Sequence, residues 1–526
     1  MVGLFNKIAG IFRRWSLDSN ERKFIRDSPF IDKSKVSHRK RVILIQMPMD
    51  YFYVSLFSLV GQQLSQQFNG QRIGLWPHNI LPFPRLENIT ALGRIVWSFL
   101  KKISQLLEQK KWSEVYRGIG IVGDIGLDQV SSLVKMQNER SAHRIWSSLE
   151  SKRQLIDLIL NGVHCGDLIY DTYIRFRARP TVKLDDPYLE YLIEQCLNAQ
   201  LRIRTYLTEH NVAVLLSSFS TYIQHGVPVR EALRSGVTVY TAGTFVQYLK
   251  RLDKENPLHV PNYQDYASAF AVLNDKAGKL ALAKRQLEER FVGHIDGAIR
   301  YMQASACPDN NDHIPDDIEG VVFLHDFFDS PHVYRWMLFE DFWEWAVFTL
   351  RVIQKNDLHI AIKPHPNQLP ESIEVVRKLK EEFPRIIWLD ANVSNRAIFK
   401  MGIHCGISVH GTILHELAYH RIAPLAAGDH PHISFDIART PSTVDEYEHL
   451  LVNFKTLRVS DDVQEEVLAF YYMNNIYDQE ALKTEAPQLR LHELDADSSD
   501  SLIIYLEKIK ELDSILSPNS SLHKGS

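Results

Sequence analysis

The stretch from Val321 to Gly428 constrains this chain most, because buried-strand and helix patterns alternate through it and its strands run into polar, chemically capable segments. Val321-Val322-Phe323-Leu324 runs into His325-Asp326-Phe327-Phe328-Asp329, and an aromatic helix is expected over about 334–354. Leu358 to Ile362 runs into Lys363-Pro364-His365-Pro366-Asn367, followed by a helix over 371–382. A third strand at 386–389 and a fourth at 402–408 lead to Val409-His410-Gly411-Thr412 and a helix over 413–420. Strands separated by helices of this length imply βαβ units and a parallel sheet. Ligands of such sheets bind beyond the carboxyl ends of the strands, which is where these polar runs fall.

Two of the strand ends suit a phosphate. Gly411 permits close backbone approach, Thr412 is a residue type that caps helices, and the free amides of a helix start attract anions. Glu416 lies one turn on, on the face of Thr412, where a carboxylate accepts hydrogen bonds from ribose hydroxyls. His365, held between two prolines, is preorganised to donate to a phosphate or leaving-group oxygen, although a turn histidine that only ties local backbone has the same sequence. Lys363, Asn367, Ser408 and His410 flank these positions, and His325, Asp326 and Asp329 are further candidates for the cleft.

The first half repeats the pattern with larger helical insertions. Arg41 to Ile45 is a strand, followed by a helix from about Val54 to Phe68, with no glycine-rich phosphate loop between them; this disfavours the usual dinucleotide fingerprint and the P-loop. A helix is expected over 91–111 and a strand over 115–122. The segment 155–177 carries Asp167, Asp171, Arg175 and Arg177, a set that binds polar substrates but that surface ion pairs also match. A strand at 212–216 ends in Ser217 to His225, including Tyr222; a helix with Arg230 and Glu231 in its first turns and a strand at 237–240 follow.

With 526 residues, 45% hydrophobic and 24% charged, the chain has material for two or more cores. The formal net charge of −4 gives no electrostatic reason to expect nucleic acid. Cys165, Cys196, Cys307 and Cys405 form no CxxC pair, so neither a zinc site nor a disulfide framework is indicated, and a reducing cytoplasm fits best. Leu4, Phe5, Ile8, Ile11, Phe12 and Trp15 recur at helical spacing with Lys7, Arg13 and Arg14 between them, a pattern that serves either an anionic membrane surface or packing on the protein body. Cys307 to Glu319 is polar and proline-punctuated, as linkers are. The expected organisation is therefore an amphipathic segment 1–35, a first domain 36–306, a linker 307–319, a second domain 320–460, helices 461–516 that cross back, and a disordered tail 517–526. Asp495-Ala496-Asp497 follows no strand and reads as solvated surface; no metal site is expected.

Lys363-Pro364-His365-Pro366-Asn367, the later Ser408-Val409-His410-Gly411-Thr412 with Glu416, and Pro424 to Gly428 together resemble bacterial capsule and surface-polysaccharide biosynthesis proteins. These belong with the GT-B glycosyltransferases, among them capsular Kdo transferases and sialyltransferases with an His-Pro motif and a later serine/threonine motif. Segments 325–332, 166–171 and 470–473 share the likeness, which runs from about Arg41 to Tyr477; adjacent serine and threonine are here replaced by Ser-Val-His-Gly-Thr. The resemblance implies an α/β fold of two Rossmann-like doubly wound domains facing across a cleft, and metal-independent sugar transfer on the cytoplasmic side of the membrane without a cofactor. The donor is a nucleotide sugar, a CMP-sugar before a UDP- or GDP-sugar, and the acceptor a glycan or lipid-linked glycan. His365 would contact the donor phosphate, Ser408, His410, Gly411 and Thr412 would cradle phosphate and nucleotide, and Glu416 would hold ribose. Asp167 or Asp171 would deprotonate the acceptor hydroxyl or attack the anomeric carbon. A nucleotide-sugar epimerase, a polyol-phosphate transferase of teichoic-acid type and a non-enzymatic assembly protein are the alternatives.

Overall fold

The computed structural model describes residues 15–31, 40–77, 91–243, 249–293, 314–477 and 498–507. The amphipathic stripe before Trp15, most of the linker, the Asp-x-Asp at 495–497 and the tail lie outside them.

The first sheet is built from β1 (Arg41–Gln46), β2 (Gly70–Trp76), β3 (Ile121–Gly126), β6 (Val212–Ser217), β7 (Thr238–Thr241) and β8 (Lys250–Leu252), in the order β3-β2-β1-β6-β7-β8. All neighbours are parallel except β8, which closes the edge antiparallel to β7. A short hairpin, β4 (Ile159–Leu160) with β5 (Val163–His164), stands apart. Residues Val42 to Gln46 are all buried, because a parallel strand covered on both faces needs a continuous apolar run rather than an alternating one.

Two expectations change here. The helix Ala91–Arg117 continues through the residues read as the start of a strand, and β3 begins only at Ile121. Tyr116 and Ile119 are buried, and Gly120, at φ +81°, turns the chain into the strand. β2 carries two glycines and a buried Arg72, so its composition hid it.

The second sheet contains β9 (Gly320–Phe323), β10 (Ile360–Lys363), β11 (Cys405–Ser408) and β12 (Ala423–Ala426), all parallel in the order β10-β9-β11-β12. The stretch expected as a strand at 386–389 contributes a single parallel bridge, Trp388 to Ile362, with Ile362 N–H donating to Ile387 O at 2.9 Å. With that bridge, both sheets wind outward from their first strand, return, and wind the other way. The reversal falls between β1 and β6 in one sheet and between β9 and β11 in the other. The fold is thus α/β, with two doubly wound parallel sheets.

The aromatic helix is shorter than its pattern: it spans Phe342–Lys355, because Asp341 caps it by accepting from Glu344 N–H at 2.8 Å. The residues before it are drawn against β12, where Met337 bridges Gly428 and Leu338 N–H donates to Ala427 O at 3.1 Å. Arg230 and Glu231 lie toward the end of the helix Tyr222–Arg234, not in its first turns.

One helix joins the two sheets. Gly166–Arg177 is buried from Gly166 through Ile174; a Cβ on Gly166 would stand 1.9 Å from Leu155 O, so only glycine lets the helix start there. Tyr170 Oη donates to Asp341 Oδ2 at 2.6 Å, and Lys152 pairs with Glu344. A single hydrophobic core accordingly includes Leu44 and Tyr170 as well as Val322 and Trp345. On the other face of the second sheet, the helix Lys276–Phe291 packs with Leu417 and Phe470, while Leu502 and Tyr505 join the core of the first sheet beside Phe24. No helix of the described residues is long and apolar enough to cross a membrane.

Candidate functional site: a strand-end pocket and an adjoining cleft

At the winding reversal of the second sheet, the loops after β9, β10 and β11 enclose a pocket of about 110 Å³ lined by His325, Lys363, His365, Ser408, Gly411, Thr412, Asn395 and Glu416, among others. Three strands that are distant in sequence end side by side here, so the parallel register itself collects these groups. Asn367 N–H donates to His365 Nδ1 at 3.1 Å. That bond makes Nδ1 the acceptor and leaves the proton of the neutral ring on Nε2. Burial lowers the His365 pKa, although Asp326 and Asp329 nearby pull the other way.

Ser408 Oγ donates to Phe323 O at 3.1 Å and lies 3.2 Å from His325 Nε2, stitching β11 to β9. A Cβ on Gly411 would come within 3.1 Å of that same Oγ, so the glycine keeps the pocket wall open. Glu416 is 1% exposed and receives Arg290 Nε at 2.9 Å on Oε1, while Oε2 is buried with no partner among the described residues. Asn395 Oδ1 is buried and unpartnered as well. Two acceptors without donors in one small cavity are costly unless something else supplies the hydrogens. Lys363, also buried, donates to Ala391 O at 3.2 Å.

Some predicted roles do not match the geometry. Thr412 has helical backbone angles and makes no side-chain cap, and its helix, Ile413–Tyr419, is only 7 residues long; the anion site expected from a capped helix start is not built that way. The His410 side chain leaves the pocket and packs among His325, Tyr334 and Phe342, at 4.7, 4.5 and 5.2 Å between ring centroids. Burial drives its pKa down to about 3. His325 lies flat on Phe342 at 4.6 Å and is held neutral by burial, its pKa well below the usual range. Asp326 organises loops: it accepts from Leu369 N–H at 2.5 Å, Phe328 N–H at 2.8 Å and Ser372 Oγ at 3.0 Å. Asp329 accepts from Ser330 N–H at 2.9 Å.

Beside the pocket, and joined to it through the ring contacts of His325, His410 and Tyr334, a cleft of about 810 Å³ lies between the sheets. His164, Asp167 and Arg230 line it from one side, His332, Tyr334 and Arg335 from the other, with Lys254 to Leu258 along the rim. Asp167 is gripped by both terminal nitrogens of Arg230, at 2.6 and 2.5 Å. Burial would raise its pKa, but Arg230 outweighs burial and the carboxylate stays charged. Asp171 is 2% exposed and does not line the cleft; its Oδ1 meets His332 Nδ1 at 2.6 Å. Tyr222 starts its helix at φ +59°, a strained setting for an aromatic residue. Its ring packs on Phe176 at 5.8 Å. Sequence reasoning passed over His332, Asn395 and Arg290 as site residues. His332 lies within the segment 325–332 already singled out, whereas nothing local marks the other two.

No family model matches the chain, and neither does any curated protein. Among solved structures it is similar to a glycosyltransferase from Rickettsia africae ESF-5, at 10% identity and a TM-score of 0.25 over 91% of this chain and 100% of that one. It is also similar to the wall teichoic acid polymerase TagF, at 10% identity and a TM-score of 0.22 over 98% and 99%. A third likeness is to MurG from Acinetobacter baumannii, at 11% identity and a TM-score of 0.20 over 90% and 99%. At these scores the likenesses carry no weight, and the fold assignment rests on the two strand orders.

Proposed function

We propose that this chain is a glycosyltransferase that moves a sugar from a nucleotide-sugar donor to a surface or capsular polysaccharide acceptor. The observation that carries the reading is the pocket at the winding reversal of the second sheet, where Glu416 Oε2 and Asn395 Oδ1 are buried acceptors awaiting donors beside the Nε2–H of His365. A ribose brings hydroxyl donors and a phosphate brings acceptors, so a nucleotide answers both needs. A volume of about 110 Å³ takes only part of a nucleotide, and the sugar then extends toward the larger cleft, which receives the acceptor. A CMP-linked ulosonic acid such as Kdo is the first donor class to test, with UDP- and GDP-sugars as competitors. Catalysis without a metal belongs to the same proposal.

Thermal-shift titration with CMP, UDP and GDP tests the reading. One of the three is expected to raise the melting temperature in a concentration-dependent way, by linkage to the folded state. Glu416→Gln is expected to weaken that shift. Identical melting curves with all three nucleotides, up to millimolar concentration, would remove the donor pocket from consideration.

The amphipathic pattern of Leu4 to Trp15 supports a peripheral place on the cytoplasmic face of an anionic membrane. Protein lacking residues 1–15 is expected to stay soluble and to stop sedimenting with acidic liposomes. Equal sedimentation of the two forms would assign the stripe to packing.

A further inference from the structure

We infer that His332, oriented by Asp171, is the general base that takes the proton of the acceptor hydroxyl; the inference rests on the sugar-transfer reading above. The two residues come from different halves of the fold. Asp171 sits on the buried helix Gly166–Arg177, and His332 on the short turn Pro331–Val333 that follows β9. Their side chains meet at 2.6 Å through Nδ1 and Oδ1, with Asp171 at 2% and His332 at 15% side-chain exposure. A carboxylate on Nδ1 fixes the ring orientation and the tautomer, which places the basic lone pair on Nε2. Nε2 has no hydrogen-bond partner among the described residues, and His332 lines the cleft of about 810 Å³. Asp167, the other acid here, has both oxygens committed to Arg230 and cannot take a proton without breaking that pair.

The step balances as a single displacement. As the acceptor oxygen forms its bond to the anomeric carbon, its proton moves to His332 Nε2. The bond from the anomeric carbon to the donor phosphate breaks, and its electron pair leaves with the nucleotide. Asp171 is a positioning residue: it stabilises the imidazolium that forms.

The surroundings set the pH dependence. Asp167, Tyr170 and Asp171 face His332 from the helix Gly166–Arg177, Asp341 from the cap of the helix Phe342–Lys355, and His410 from the loop after β11. Burial opposes the charged ring, but the charge and hydrogen bond of Asp171 outweigh it and raise the His332 pKa above 6.5. The base form therefore appears as pH rises, and the rate should show an ascending limb above pH 6.5.

The test follows nucleotide release from CMP-, UDP- and GDP-sugars between pH 6 and 9, above the acid transition, with water as the acceptor probe. His332→Gln is expected to lower release by roughly 10²-fold or more and to abolish the ascending limb. Asp171→Asn is expected to move the limb to lower pH, and the His332 ring resonances should titrate at correspondingly lower pH in NMR. Should the buried Asp171→Asn variant not fold, the His332→Gln profile decides alone. Release by the wild type with an unchanged profile in folded His332→Gln overturns the dyad and leaves sugar transfer standing. No release from any donor by the wild type overturns sugar transfer, and with it the role given to His332.

Discussion

Replacing His365 by alanine is expected to remove most of the proposed transfer activity while leaving the fold intact. The ring sits in a loop between two prolines, and among the described residues its hydrogen bond is the one accepted from Asn367 N–H at 3.1 Å. That bond directs Nε2–H at whatever fills the pocket. A preorganised donor aimed at charge that grows on a leaving phosphate is worth about 10²–10³ in rate, whereas losing one part-buried loop hydrogen bond costs only ~1 kcal/mol of stability. The turnover of His365→Ala should thus fall by at least about 10²-fold, with its circular dichroism spectrum unchanged and its melting temperature within a few degrees. Wild-type turnover in a folded His365→Ala protein would detach the pocket from the chemistry.

Acidification below pH 6.5 is expected to unfold the protein cooperatively. His259, His410, His415 and His430 are buried with pKa values driven down to about 3, and His432, 0% exposed, lies well below the usual range. Burial is the first cause in each. Neither ring nitrogen of His415 or His432 has a partner among the described residues, so no bond among those residues offsets the cost of charging the rings. For such groups the unfolded chain binds protons that the folded protein refuses. The stability they confer is complete above the unfolded value of about 6.5 and drains away as pH falls toward 3.

Each group contributes about 1.4 kcal/mol per pH unit in that window, so several acting together remove several kcal/mol per unit. A typical fold has only about 5–15 kcal/mol to lose. Asp341 and Asp429, whose carboxyls burial raises, take up protons in the folded state and oppose the loss in part. Circular dichroism against pH gives the midpoint, and His415→Leu should move it to lower pH. A transition that stays below about pH 4 in the wild type would mean that these rings have acidic routes to solvent.

Each strand of the second sheet is a short apolar run ending in a polar, glycine- or proline-marked turn, and hydrophobic periodicity is local information. The sequence alone therefore placed β9, β10 and β11 and the pocket groups His365, Ser408 and Glu416 at their strand ends. Periodicity failed where the local signal was mixed. β2, with Gly70, Gly74 and Arg72, carried no strand signal, and the strand expected at 386–389 reduced to one bridge at the sheet edge. What only the tertiary structure decided is pairing across distance. Arg290 reaches Glu416 over 126 residues and His332 reaches Asp171 over 161. Neither pairing leaves a trace in local spacing, because each is fixed by how the helices Lys276–Phe291 and Gly166–Arg177 pack against the second half of the chain. Packing of the helix Gly166–Arg177 against Tyr222–Arg234 turned Asp167 from a free acid into half of a bidentate ion pair, and the turn Pro331–Val333 left the imidazole of His332 facing the cleft.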